Sequence, residues 1–577
     1  MRKRAEKWIA CLLVLALGLS LGACTLRPKP VKREGDYLFR MGFSSEPDAL
    51  NPYTASNDEA AALFSLLYDT LLSRDPETGE IAGQLCESWS VADSKVDGAH
   101  ILELTLRSGV QWHDGTALTA GDVEFSLQSL KDFSARYSYP DCETLDTTGI
   151  AVIDDTHLRI MIWSSSAEAL EGLCHVPILP RHIWNGRDGM SYGRSGVPED
   201  YSAARTSLAA AEGNGKTLVG SGPFVWDGQS GNTITLRRNE SYWNGVSAPG
   251  TVMLYFGLAD PGAALSAGKL DACWDMSGAW FEELGRERGY HLAGGAGETL
   301  YSLFLNLSES SSGSRATLRD TNVRWAIEYC LDKADILNIA FGGGVPRCGW
   351  LAADSPQDYE GTLTSLRNYS TASAAWLLDN TGYTDPDGDG VRQDAYGSRL
   401  SFTLLCSSGS DAWARAGELL RSSFAEAGME LTVSVLTPNE LARAVAAGEY
   451  DLLLTGIRAS RDPATAFRAF YGDPGNAFSS TSGIASPGWN FTGYRAQSFD
   501  TLYQNLLDED EAGGNIPRIG QLLYDDAASL PIGFGAVYQG CSATWEGLVL
   551  WPGSRVYFNA ENLGQQLLRI SPAGGKN

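Results

Sequence analysis

Polar and apolar positions follow two patterns along this chain. Residues 36–43 (DYLFRMGF), 99–107 (AHILELTLR), 232–238 (NTITLRR) and 301–307 (YSLFLNL) read as strands, most clearly 99–107, where apolar and polar side chains alternate. That alternation predicts strands with one buried face. Residues 57–73 instead recur at helical spacing, with Ala62, Leu63, Leu66, Leu67 and Thr70 on one face and Asp58 as the cap. A second helix opens at Thr119-Ala120-Gly121-Asp122 and ends near Leu130. A third spans 321–341, with Val323, Ala326, Ile327, Cys330 and Leu331 on one side. Residues 399–406, 413–428, 430–435, 439–447 and 450–456 read as strand, helix, strand, helix and strand, the order of an α/β lobe. Asp75-Pro76-Glu77-Thr78-Gly79 is a turn, and 213–217 (GNGKT) is a flexible joint.

One apolar run is of a different kind. Arg2, Lys3, Arg4 and Lys7 precede the apolar stretch Trp8–Leu21, which ends in Leu21-Gly22-Ala23-Cys24. A basic start, a short apolar segment and small residues make an export signal, and the stretch is shorter than a comfortable membrane span. Leu-Gly-Ala-Cys resembles a bacterial lipobox. The resemblance implies cleavage after residue 23 and acylation of Cys24, the alternative being a plain secretory peptide or an uncleaved anchor. Acyl chains on Cys24 would hold the chain on a bilayer, with 25–35 (TLRPKPVKREG) as a polar tether.

With 577 residues the chain is long enough for several domains. Lys+Arg 44 against Asp+Glu 70 gives a net charge of −26, which argues against a nucleic-acid partner. Aromatic residues reach 10%, ample for an aromatic-lined pocket. Cys86, Cys142, Cys174, Cys273, Cys330, Cys348, Cys406 and Cys541 form no CxxC pair and no zinc-ligand spacing. In an exported chain they allow one or two disulfides, Cys142–Cys174 and Cys330–Cys348 being the nearest neighbours in sequence. No cofactor motif is present. His113-Asp114 has no nucleophile beside it, and Val219-Gly220-Ser221-Gly222-Pro223 lacks the lysine of a phosphate loop. Asp385, Asp387, Asp389 and Gly390 match the opening of a calcium loop, but Tyr396 stands where a bidentate Glu is needed. The segment is either a weak Ca²⁺ site or a solvated acidic hairpin.

Four segments together resemble one family: 48–75 with Gln84–Trp89; 106–130 (LRSGVQWHDGTALTAGDVEFSLQSL); 219–243 (VGSGPFVWDGQSGNTITLRRNESYW); and 319–333 (RDTNVRWAIEYCLDK), preceded by Leu265–Asp271. These look like the family 5 extracellular solute-binding proteins of ABC importers, the oligopeptide-, dipeptide- and nickel-binding group. The resemblance implies an α/β, two-lobe clamp of the periplasmic-binding type with an extra subdomain. Mapped here, lobe I takes 36–76, 217–295 and 527–577, its subdomain 77–216, and lobe II 296–526, with the hinge near 296–306 and 524–536. It also implies no enzymatic activity and a solute held between the lobes. The partners are a peptide or peptide-like solute, a membrane permease and, through Cys24, the bilayer. The protein would act as a monomer on the outer face of the cell membrane, or on the periplasmic side of a two-membrane host.

In peptide-binding members an Asp after a "YD…GW" strand pairs with the peptide ammonium. Here Ile457 stands in place of the Trp and Ser460 in place of the Asp, with Asp462 two residues further on. Arg458 and Arg461 suit an anionic ligand group or else face solvent. Ser44, Ser45 and Glu46 match the first-lobe cleft segment, with Glu46 a second candidate for an ammonium. The alternatives of other classes are a sensory or structural lipoprotein that feeds no transporter, and a binder of a non-peptide solute such as an acidic metabolite or metal chelate. A secreted hydrolase lacks any visible nucleophile and base.

Overall fold

The computed structural model describes residues 37–574 apart from 48, 53–54, 56, 95–98, 133–144, 163–165, 185–216, 309–312, 354, 409, 473–479, 482–483, 486–489, 508–511, 553–554 and 561. Cys24, the tether, Cys142 and residues 213–216 of the joint therefore lie outside the described residues.

One long mixed sheet runs through the molecule. Its path uses β1 (Tyr37–Gly42), β6 (Phe224–Ser230), β7 (Thr233–Arg238), β8 (Pro249–Tyr255), β9 (Ala272–Cys273), β10 (Tyr290–Leu305), β11 (Ser401–Ser407), β12 (Glu430–Leu436), β13 (Leu452–Arg458) and β14 (Ser529–Ser542), in the order β12-β11-β13-β10-β14-β9-β1-β8-β7-β6. A second sheet, β2 (Cys86–Asp93), β3 (His100–Leu106), β4 (Leu145–Val152) and β5 (His157–Ile162), is antiparallel in the order β2-β3-β5-β4.

Two strands belong to both halves of the long sheet. At one end β10 pairs with β14 through His291 and Cys541; at the other it does so through Leu303 and Leu530. The pairing is interrupted between Ala296 and Leu300 and shifts again between Tyr301 and Ser302. A bulge bends a strand and re-aims its side chains, and this one sits where the two halves meet. On the first side, Phe39, Met41, Leu236, Leu254, Leu563 and Leu567 share a continuous core with the small sheet. On the second, the sheet is covered on both faces. α4 (Thr321–Tyr329) and α5 (Asp411–Glu426) pack on Leu303, Leu305 and Leu404, while α6 (Pro438–Ala446), α7 (Pro463–Arg468), α8 (Gln497–Leu507) and α9 (Ala512–Asp525) enclose Leu300, Phe304 and Leu453. A sheet hidden on both faces explains the unbroken apolar run Leu452-Leu453-Leu454.

Several sequence expectations need correction. The first helix, α1 (Asp58–Leu67), is shorter than 57–73, and its cap is Asn57, whose side chain accepts from Ala60 N–H at 3.1 Å. It stops because Asp69 is buried and fixed elsewhere, accepting from Tyr242 Oη (2.7 Å), Gln84 Nε2 (2.7 Å), Trp243 Nε1 (3.0 Å) and Ser221 Oγ (3.0 Å). The helix expected over 321–341 is two helices, broken at Cys330–Asp332, where Asp332 caps the second through Asp335 N–H. Cys330 and Cys348 are unbridged thiols. Trp112 is in the core as expected, and α2 (Ala120–Asp132) begins where the sequence placed it, Asp122 accepting from Thr119 N–H at 2.8 Å.

His113 has a structural duty. Its Nδ1 accepts from Gly220 N–H at 3.1 Å and its Nε2 lies 3.0 Å from Gly222 O. A neutral ring that accepts at one nitrogen and donates at the other therefore staples the family turn at 219–223 onto the HDG turn. Burial pushes its pKa down to about 4.

Candidate functional site

A cavity lies where the two halves of the long sheet diverge, with about 860 Å³ of atom-free space, part of it open to solvent. Its walls come from the whole length of the chain. The bulge supplies Ala296, Gly297 and Glu298, and the end of β13 with the following loop supplies Arg458 to Arg461. The first half contributes Asp58 from the start of α1, Trp274, Val556, Phe558, Asn559 and Ala560; the small-sheet unit contributes Glu171 and His175 from α3 (Ser166–His175).

The walls are held by their own hydrogen bonds. Gln539 is buried; its Oε1 accepts from Tyr557 and Phe558 N–H (2.9 and 2.8 Å) and its Nε2 donates to Phe558 O at 2.6 Å. This fixes the segment that presents Phe558 to the cavity. On the opposite wall, Ala352 N–H donates to Ser460 O at 3.0 Å, and Ser355 Oγ to Arg461 O at 2.7 Å. Trp274 is placed by its N–H to Gly42 O (2.8 Å) and stacks on Phe43 with ring centroids 5.3 Å apart. Ala296, Ala352, Ala353, Ala459 and Ala560 keep the space open.

The charged side chains form two clusters that cross between the halves. Arg458 pairs with Glu298 at 2.5 Å and with Asp58, on the other half, at 3.3 Å. Glu171, whose side chain is 5% exposed, is shared by Arg74, His175 (3.3 Å) and Arg461 (4.0 Å). The Arg461 guanidinium also lies 5.7 Å from the Trp551 ring centre, across the gap. Burial alone would push the Glu171 carboxyl up, but hydrogen bonding and charge from His175 and Arg74 outweigh it and hold its pKa at about 2.

Of the residues singled out from sequence, Arg458 and Ser460 line this cavity together with Arg461. Both arginines are partly buried, and each meets protein carboxylates. Ile457 does not line it and is buried in the core at 4% exposure. Asp462 caps α7, accepting from Thr465 N–H at 2.8 Å, and desolvation raises its pKa. Ser44, Ser45 and Glu46 are exposed and do not line the cavity. Ser44 is bonded to Asp275, and the Glu46 carboxylate accepts from Asn232. Asp385, Asp387 and Asp389 lie together on an exposed turn, their ligand atoms within 4.8 Å of one another. Arg399 reaches this cluster, 2.6 Å from Asp389 and 3.7 Å from Asp387, and Asp385 is occupied by Gly388 and Gly390 N–H at 2.8 and 2.9 Å. A resident guanidinium thus supplies the positive charge a cation would bring.

Sequence reasoning missed Glu298, Glu171, Trp274, Phe558 and the opposing role of Asp58. The only signal for Glu298 was an acid inside the expected hinge, and nothing local marks the C-terminal wall.

The sequence matches the family described as bacterial extracellular solute-binding proteins, family 5 Middle, over residues 80–478. The chain belongs to that family. A curated relative, the oligopeptide-binding protein AppA of Bacillus subtilis, is 25% identical over 459 residues, covering 75% of this chain and 77% of AppA. The solved structure of AppA from Bacillus subtilis in complex with a nonapeptide superposes with a TM-score of 0.68 at 19% identity, covering 94% of this chain and all of that one. NikZ from Campylobacter jejuni, solved with Ni(L-His), gives 0.66 at 18% identity over 93% of this chain and all of NikZ. The solute-binding clamp fold is therefore common to these proteins, and the cavity lies between the two lobes of the clamp.

Proposed function

We propose that this chain is the solute-binding component of an ABC importer, that it encloses a peptide or peptide-like solute between its lobes, and that it presents the closed form to a membrane permease without covalent chemistry. The observation that carries this is a cavity walled by both lobes, at a bulge in β10 and β14, the long strands they share. A solute touching both walls favours the closed arrangement, because only there does it gain both sets of contacts. AppA, bound to a nonapeptide in its crystal structure, supports the peptide class; NikZ with Ni(L-His) supports keeping a non-peptide solute as the second reading, and Ser460 in place of the ammonium-binding Asp favours that reading too.

We further propose that Cys24 carries the lipid anchor and that residues 25–35 tether the clamp to the outer face of the membrane; the support is the order of basic, apolar and small residues before Cys24. Among the described residues no helix is long and apolar enough to cross a membrane.

The test is calorimetry with a pool of short peptides on the wild type and on Ala353→Trp, which fills the cavity from the second lobe. The wild type should give a saturable heat that the variant lacks while melting normally. Equal heats from both would place binding elsewhere and overturn the proposal.

A further inference from the structure

Two carboxylates from opposite sides of the cavity meet on one guanidinium. Asp58, from the first half, and Glu298, from the bulge in β10, both reach the same nitrogen of Arg458, Nη2, at 3.3 and 2.5 Å. The two acids are therefore close neighbours, and the guanidinium brings one positive charge against their two negative ones. Asp58 lies in the first turn of α1, where the helix dipole favours its ionised form. Closing the clamp draws these like charges together in a partly enclosed space, where they repel more strongly than in water. A cation carried by the solute relieves that repulsion. Only in the closed arrangement does such a cation gain both carboxylates at once, so it also favours closure.

The rest of the lining agrees with this. Asp58, Glu298 and Arg458 are 45, 22 and 28% exposed, within reach of a solute. Trp274 and Phe558 line the same cavity, and aromatic rings attract cations too. In the other cluster Arg74, Arg461 and His175 gather on Glu171, with Asp462 close enough to feel its charge; that corner carries no excess of acid. The chain as a whole, at −26, draws cations toward it and repels anions.

We propose that Asp58 and Glu298 form a cation subsite spanning the cleft, which makes the chain selective for solutes with a positively charged group, an α-ammonium or a basic side chain. The subsite is built on α1 and the β10 bulge, not on the loop at Ser460. Arg458 holds the two carboxylates in place, and the solute cation is their second counter-ion. This rests on the peptide-binding reading above and specifies its substrate class.

The experiment titrates one C-amidated apolar tetrapeptide in three forms: N-acetylated, with a free N-terminus, and N-acetylated with one residue replaced by lysine. At least one cationic form should bind the wild type about tenfold more tightly than the neutral form, the gain expected from a charge-assisted contact. Preference for the free N-terminus identifies an α-ammonium as the cation read; preference for the lysine form identifies a basic side chain. Glu298→Gln and Asp58→Asn, one from each side of the cleft, should each cut that preference to roughly twofold or less. Equal affinity of the wild type for all three forms, or tighter binding of the neutral one, would overturn this inference and leave the peptide-binding proposal standing. Heat from none of the three would overturn both. A preference that survives unchanged in both variants, with wild-type melting, would overturn the assignment of Asp58 and Glu298 as the subsite.

Discussion

Glu171 is engaged by Arg74, His175 and Arg461 in the cleft, and Glu171→Gln removes its charge with little change of shape. The consequence can be sized in two ways. A folded-state pKa of about 2, against an ordinary glutamate value of about 4.3, corresponds to roughly 3 kcal/mol of stability near neutral pH. Breaking a buried ion pair by removing one partner independently costs about 3–5 kcal/mol, and Arg74 and Arg461 are only 14% and 11% exposed. The two figures agree. Because the folded pKa lies below the unfolded one, this stability is present above about pH 4.3 and is lost as the pH falls toward 2. In urea unfolding the variant should therefore fall about 3 kcal/mol short of the wild type at pH 7, and the gap should shrink to about half by pH 3 as the wild type loses its own advantage. A variant within about 0.5 kcal/mol of wild type at pH 7, or a gap that does not depend on pH, would refute the assignment of Glu171 as the hub of this cluster.

Further outcomes follow from other residues. His113 has a folded pKa near 4, below its ordinary value of about 6.5. Its contribution, up to about 3 kcal/mol, is therefore present above pH 6.5 and lost as the pH falls toward 4; His113→Gln should flatten the stability profile in that window, and an unchanged slope would contradict the staple. Gly220→Ala places a Cβ 1.7 Å from the Leu67 carbonyl oxygen; it should destabilise by at least about 3 kcal/mol, beyond ordinary overpacking, and a wild-type melting curve would show the turn to be more pliant than described. Cys24→Ser should move the protein from the membrane to the soluble fraction with unchanged melting, and retention on the membrane after signal cleavage would end the anchor assignment.

β1, β3, β7, β11, β12 and β13, with α1, α2, α5 and α6, were legible because their side chains alternate or recur around a buried face, whereas β14 and α7 to α9 were not expected from the sequence. The misread boundaries have identifiable causes. The apolar spacing of 57–73 continues past Leu67, but Asp69 is drawn into hydrogen bonds with Gln84, Ser221, Tyr242 and Trp243, and no local pattern announces partners up to 174 positions away. Likewise Asp332 begins a new helix inside what reads as one periodic run. In the cleft, the pattern of the family directed attention to the stretch around Arg458 and Ser460, which lines the cavity. It could not reveal that Arg458 meets Asp58 some 400 positions earlier, which depends on how β10 and β14 carry one lobe against the other. Glu46 illustrates the converse: an acid in a suggestive segment, engaged with Asn232 outside the cavity.

Native mass spectrometry of the purified chain tests the clamp itself most directly. The account predicts a fraction of molecules carrying one small, non-covalently bound passenger that leaves intact on denaturation and is absent from Ala353→Trp. An identical mass for both proteins under native and denaturing conditions, even after incubation with a peptide pool, or a passenger recovered in covalently altered form, would contradict it.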